Sequence, residues 1–280
     1  MGGYMKNSKQ IVSIAVAVSA ILGIGSAFAA DMAVKAPPVV APVVAYNWTG
    51  CYIGAHAGYG WGRNKNNLND AIGRDPSEGP FENGVNELAD YSHDTNGGVF
   101  GGQLGCNYQT ANNWVVGVEG ELWGSGMRGG TVTLEDGNDP GSFTSYKSKN
   151  LWDADIALRL GYAWGRSLLY GKVGVAVGKF SYEIRHDDIP THHACSPATF
   201  LAVCVESFSD KPIGLLLGAG WEYAVTNNWS LKVEYDYLKF ESRSYNYTAS
   251  LGNYSNSETK QIVKVGVNYR FGNGLVVAKY

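Results

Sequence analysis

The stretch Gln261-Ile262-Val263-Lys264-Val265-Gly266-Val267-Asn268-Tyr269-Arg270-Phe271 alternates strictly. Side chains in a strand point by turns to opposite sides, so Gln261, Val263, Val265, Val267, Tyr269 and Phe271 make one face, a band of valines closed by two aromatics. Ile262, Lys264, Gly266, Asn268 and Arg270 make the other, mixing glycine, amide and positive charge. A strand with lipid on one side carries this signature. A half-buried strand of a soluble sandwich carries it too, so the rest of the chain has to discriminate.

From Gly50 onward the device recurs in about eight segments: Gly50 to Trp61, Gly97 to Gln109, Trp114 to Gly124, Leu151 to Trp164, Leu168 to Phe180, Ile213 to Val225, Trp229 to Phe240 and Thr259 to Phe271. In the fourth, Trp152, Ala154, Ile156, Leu158, Leu160, Tyr162 and Trp164 share one face, and Asp153, Asp155, Ala157, Arg159 and Gly161 share the other. The connections alternate as well. Thr110 to Asn113, Gly165-Arg166 and Thr226 to Asn228 are hairpin turns, whereas Arg63 to Asn96 and Ser181 to Lys211 are long polar links of a kind uncommon in compact soluble domains. Short turns at one end and long loops at the other suit a barrel inserted through a membrane, with both termini at the short-turn end.

Strand parity leaves open whether the apolar face points in or out, and the polar face decides. It carries Gly54, Gly58, Gly117, Gly161, Gly174, Gly178, Gly218, Gly220 and Gly266 between charges of both signs. Glycine is disfavoured on a strand face that meets water. Inside an eight-stranded barrel, where side chains fill the lumen, small residues must be interspersed with large ones. The polar face is therefore the lumen. The expected fold class is all-β, an eight-stranded antiparallel up-and-down transmembrane β-barrel.

Composition agrees with this. The 280 residues include 37 Gly, 12% aromatics and only 17% charged residues, against roughly a quarter charged in ordinary soluble domains. A formal net charge of −3 and the lack of any basic run exclude a nucleic-acid partner. At the N-terminus, Lys6 and Lys9 precede an apolar run from Ile11 to Ile24 and the small residues before Ala29-Ala30. That is the pattern of an export signal, too short for the roughly twenty residues of a spanning helix. Both Met1 and Met5 could begin it. The expected organisation is a signal peptide over 1–30, a Pro- and Ala-rich periplasmic tether over 31–49, the barrel over 50–271 and a C-terminal tail over 272–280.

The chain resembles the small outer-membrane β-barrel proteins of alphaproteobacteria, an opacity-like and immunogenic surface-protein family with members described as haem-binding or porin-like. The residues that carry the resemblance are Tyr46-Asn47-Trp48-Thr49-Gly50-Cys51-Tyr52-Ile53-Gly54, Gly58 to Gly62, Gly101 to Gly105, Val116 to Gly120, Val265 to Phe271 and the ending Val276 to Tyr280. Cys51 and Cys106 depart from the pattern, standing where aromatics are expected. The resemblance implies an outer-membrane location, contact with outer-membrane lipid and lipopolysaccharide, and insertion by the barrel-assembly machinery. It also implies that Tyr269 and Phe271 form the assembly signal, although the chain runs on to a second aromatic end at Tyr280.

Candidate site residues fall into three sets. Glu119, Glu121, Asp153, Asp155, Glu222, Glu234 and Asp236 share lumenal parity with Arg159, Lys172, Lys232, Lys264 and Arg270. Near-balance of sign predicts salt bridges between neighbouring strands, because an unpaired charge in a low-dielectric barrel is costly. Such a network is either a structural polar plug or the lining of a narrow conduit. Four cysteines in an exported chain predict two bridges. Cys195 to Cys204 would close a short loop, constraining the unfolded chain by about 2 to 3 kcal/mol, and Cys51 to Cys106 would cross the first two strands low in the wall. Lastly, His186, His192 and His193 in the third long loop could ligate haem or metal, but their spacing fits no structural metal signature, and no cofactor is expected. His93 is assigned to the first loop and His56 to barrel filling. No nucleophile-and-base motif appears, so no enzyme is expected. The alternatives are a haem- or ligand-binding surface protein acting through its loops, and a soluble lipocalin-like binder.

Overall fold

The computed structural model describes residues 45–71, 91–134, 143–187, 203–247, 252–271 and 275–276. Eight long strands close into a ring. They are β2 (Gly50–Ala71), β3 (Tyr91–Gln109), β4 (Trp114–Ser125), β6 (Phe143–Trp164), β7 (Ser167–Asp187), β9 (Ile213–Ala224), β10 (Trp229–Phe240) and β12 (Gly252–Arg270). Each pairs antiparallel with the next, and β12 pairs with β2 from Arg270↔Tyr52 to Gly252↔Ala71, leaving the barrel without a free edge. Beyond the belt the wall continues through shorter pieces. β5 (Arg128–Leu134) pairs with β3 and β6, β8 (Val203–Asp210) with β7, and β11 (Arg243–Tyr247) with β12.

The turns at one end are as short as the sequence implies. Asn113 and Gly165 take positive φ, 65° and 59°, the left-handed conformation that asparagine and glycine tolerate. At the opposite end the strands outrun the alternating segments. Arg63 to Ala71, Tyr91 to Asn96 and Ser181 to Asp187 are strand, not loop. Beyond the lipid belt the outer face turns largely polar, and where the inner face is apolar, as at Tyr146, Tyr182 and Ile184, the alternation is inverted, so the lipid-facing rhythm ends while backbone pairing carries on. His93 accordingly lies in β3, pointing inward, not in a loop.

The outer face is a continuous apolar belt. Phe100 is 72% exposed, Leu104 and Leu158 66%, and Ile156 58%, while lumenal Lys264 and Asp153 are fully buried. An unbroken ring of exposed leucine, isoleucine and valine is stable against lipid, not water. Its lower rim is aromatic: Trp114 packs edge-on against Tyr162 at 5.7 Å, and Tyr269 against Trp229 at 5.0 Å. Cys51 and Cys106 are register partners on this face, joined by a disulfide. Residue Cys195 lies outside the described residues, as does the Cys204 side chain.

The tether ends earlier than its composition suggests. β1 (Ala45–Tyr46) pairs with β13 (Leu275–Val276), and Trp48 is fully buried with Val115, Ala163, Leu168, Tyr170 and Ala224. Tyr46 and Trp48 thus fill the short-turn mouth of the barrel, and the tail contributes a strand that holds them there. Their chemistry predicts this better than the prolines around them do, since two large rings beside an apolar barrel mouth gain by leaving water.

Replacing outward Leu158, midway along the apolar belt of β6 between Trp152 and Trp164, with arginine should cost about 2 to 4 kcal/mol of barrel stability, the price of a cation at the bilayer midplane. Denaturant titration of the protein folded into lipid vesicles measures it; a variant within about 0.5 kcal/mol of the parent would contradict the lipid-facing assignment.

Candidate functional site

The lumen is filled in layers. Above the Tyr46 and Trp48 plug, Arg159 of β6 reaches Glu222 of β9 at 3.0 Å and Glu119 of β4 at 3.4 Å, with its guanidinium 3.8 Å from the Tyr170 ring centroid. Tyr52 donates to Glu119 at 2.7 Å, and Ser230 and Asn268 donate to Glu222 at 2.5 and 2.9 Å. Next comes the densest charge cluster. Lys264 pairs with Asp236 at 2.6 Å, Glu234 at 3.0 Å and also Glu121. Lys172 meets Glu234 at 2.9 Å, Glu121 at 3.2 Å and Asp236 at 3.3 Å; Lys232 meets Glu121 at 2.8 Å.

These bridges do more than join neighbouring strands, which is where the sequence expectation falls short. Glu121 on β4 and Lys232 on β10 lie across the lumen from one another, and Lys264 on β12 reaches Glu121 past β2 and β3. Glycine makes the crossing possible. A Cβ at Gly218 would collide with the Asp236 carboxylate and the Lys172 chain, and one at Gly58 would crowd Lys264. The space a side chain would occupy is where a longer one leans over.

Not every expected member joins. Asp155 is inward and register-paired with Glu121, yet it has no ion pair among the described residues. Arg270 is an anchor of the plug instead. It donates to the Asn47 carbonyl at 3.1 Å and stands 4.6 Å from the Trp48 ring and 5.4 Å from Tyr46. Asp153 pairs with Lys260 at 2.7 Å, a partner the sequence reading omitted although it shares the parity of Lys264. Tyr52 and Tyr170 were missed for a similar reason. Their hydroxyls, not their rings, serve the network, and Tyr170 donates to Glu234 at 2.6 Å.

Farther up, Trp123, Met127, Phe180, Leu216, Leu238, Phe240 and Ile262 pack together as a buried apolar layer. The Lys260 ammonium lies 4.2 Å from the Phe180 ring. His56 contacts Gln103 at 2.7 Å and His93 contacts Ser148 at 2.6 Å, so both rings are structural members of the wall. At the outer end, Tyr245 donates to Asp210, and burial together with that hydrogen bond holds its phenol well above the ordinary value. His186 backs onto Cys204 in the β7–β8 ladder. Its side chain, with His192 and His193, lies outside the described residues.

Chemically, the lumen is lined with paired charges. Oxygens of Glu119, Glu121 and Glu234 lie within 4.8 Å of one another, close enough to suggest a metal centre. The ammonium groups of Lys172, Lys232 and Lys264 already occupy the space among them. With fully buried side chains on both sides of these pairs, each charge is satisfied by protein groups.

Residues 17–271 match the family described as outer membrane protein beta-barrel domain. The chain is 35% identical over 270 residues to the 31 kDa outer-membrane immunogenic protein of Brucella melitensis biotype 1, an alignment covering 92% of this chain and 99% of that one. It is 26% identical over 270 residues to the 25 kDa outer-membrane immunogenic protein of Brucella abortus biovar 1, covering 95% and 100%. With the 22 kDa outer membrane protein of Rhizobium leguminosarum bv. viciae it shares 27% identity over 189 residues, covering 67% and 74%.

Replacing Lys264 with methionine removes the cation shared by three carboxylates and should destabilise the barrel by about 3 to 5 kcal/mol. Adding Glu121→Gln and Asp236→Asn to that variant should restore part of the loss, because fewer buried carboxylates are then left uncompensated. Equilibrium unfolding in vesicles measures both, and a neutral Lys264→Met would show that the network does not hold the wall.

Proposed function

The chain belongs to the outer-membrane β-barrel protein family, and from that premise we propose that its barrel is a closed anchor that displays the long connections at the cell surface. It is a protein of the outer membrane. The observation that carries the closed reading is the double obstruction of the lumen. Lysine bridges cross it at mid-height, and Trp48 with Tyr46 fills its short-turn mouth. Eight strands leave a bore that side chains can fill, and here they do. The role is envelope support and contact with the surroundings through the loops. The chemistry in the barrel is structural, not catalytic, since the carboxylates of its central cluster, Glu119, Glu121, Glu222, Glu234 and Asp236, are committed to lysine and arginine.

A second reading, a narrow conduit for very small solutes, draws on buried polar atoms without a hydrogen-bonding partner, among them both side-chain atoms of Asn107 and of Asn256. Water bridging such atoms would give a discontinuous path, broken at the Trp123 and Phe180 layer. Planar-bilayer recording of the refolded protein separates the two readings. We expect no sustained conductance steps from the parent, and stable ohmic steps that shift in Glu119→Gln and Lys264→Gln variants would establish the conduit instead.

The assembly signal is assigned to Tyr269 and Phe271. Tyr269 stands on the outer face of the strand that closes the ring and Phe271 is exposed just past its end, with rings 5.5 Å apart, while β13 in the tail pairs with β1 in a separate two-stranded sheet. That placement favours Phe271 over Tyr280. Deleting residues 272–280 should leave insertion into the outer membrane largely intact, whereas Phe271→Ala should reduce it; the opposite result, scored by membrane fractionation, would move the signal to Tyr280.

A further inference from the structure

One charge arrangement on the outer wall is explained neither by the lumen nor by the apolar belt. Arg128 on β5 and Lys149 on β6 are direct register partners, and both are exposed on the outer face. Side chains so paired stand about 4.5 to 5.5 Å apart at Cβ, and like charges there destabilise the pair. Lys179 on β7 extends the set. It too points outward, opposite Trp152, two residues from Ser181, the β7 partner of Lys149. Such diagonal neighbours are about 7 to 8 Å apart, within reach of long side chains.

Among the described residues, none of these three cations has an ion-pair partner. The acids on the same face are engaged elsewhere: Asp94 with Arg63 at 3.0 Å and Glu183 with Lys147 at 3.1 Å. Asn96, the β3 partner of Arg128, is neutral and donates to the Tyr59 hydroxyl at 2.8 Å. The height of the cluster is equally specific. Leu151, 44% exposed, and Trp152 lie immediately below it, and the apolar belt descends from there through Ile156 and Leu158. Three uncompensated cations at the upper edge of a lipid-facing belt meet the plane in which headgroup phosphates lie.

We propose that Arg128, Lys149 and Lys179 form a docking site for the phosphate groups of an outer-leaflet glycolipid of the lipopolysaccharide type. The site rests on the reading of the belt as lipid-facing. Arginine offers a planar fork that grips a phosphate through two hydrogen bonds, and the two lysines add point charges beside it. A phosphate among them turns mutual repulsion into attraction, which gives a physical reason for a like-charged register pair to persist.

The test uses the full-length protein refolded in phospholipid vesicles, titrated with bisphosphorylated lipid A, with its dephosphorylated form and with inorganic phosphate. The parent is expected to bind bisphosphorylated lipid A, and the Arg128→Gln, Lys149→Gln, Lys179→Gln triple variant about tenfold or more weakly. A Lys149→Arg, Lys179→Arg variant should retain binding. Equal binding of dephosphorylated lipid A, equal affinity of the triple variant, or equal occupancy by inorganic phosphate would each overturn the site. Heat-modifiable gel mobility in the same vesicles reports the membrane barrel separately. Its absence from the parent overturns both readings, and its presence with unchanged lipid binding by the triple variant overturns the phosphate site alone.

Discussion

The Lys264 ammonium group, enclosed by carboxylates from β4 and β10, constrains nearly everything else in the barrel. It is fully buried, and so are its partners. A charge in that position is tolerable only when opposite charges approach it closely, and those charges come from distant parts of the chain. Glu121 is 143 residues away in sequence. The pairing therefore fixes strand order, register and inward parity together. Slipping β12 by one residue would turn Lys264 toward lipid and Val265 toward the carboxylates, a double error that register specificity excludes.

Glycine serves the same constraint from the other side. Lumenal glycines are not spacers between functional residues but the volume into which those residues lean, as the clash of a Cβ at Gly218 with both Asp236 and Lys172 makes plain. At the short-turn mouth the solution differs. There Arg270 finds no carboxylate and stacks on Trp48 and Tyr46, so a cation near the end of the closing strand fastens the segment that precedes the first. Both termini thereby contribute to closing one end of the barrel, and β1 with β13 ties them to each other.

Much of this was legible in the residues, and what was not has identifiable causes. Alternation with glycine on the polar face sufficed for strand number, inward and outward faces and the Cys51 and Cys106 pairing. It could not show which charges meet, because parity places a side chain in the lumen without saying how far across it reaches. Lys260 and the Tyr52 and Tyr170 hydroxyls belong to the site by reach rather than by pattern. Trp48 was hidden by its company, since proline-rich sequence reads as extended chain whatever the last few residues can bury. The outer strand extensions were hidden because the outward apolar band stops there, and in β6 and β7 the apolar residues Tyr146, Tyr182 and Ile184 stand on the inner face instead, opposite to the rhythm of the belt.

The sharpest failure of parity is local and has a structural cause. Lys149 and Asp153 are four residues apart and should share a face of β6, yet Lys149 is exposed on the outside and Asp153 is fully buried within. The register shifts between Asn150 and Trp152, so Leu151 is an extra residue in the strand. Such a bulge re-aims everything beyond it. Asn150 stays inside, within 3.3 Å of the Asp153 carboxylate, while Lys149, Leu151 and Trp152 all turn outward at the upper edge of the belt. Without the extra residue Lys149 would enter the lumen and add to the charge gathered there. With it, one strand delivers an acid to the buried network and a cation to the membrane boundary, and the switch costs the wall a single unpaired position.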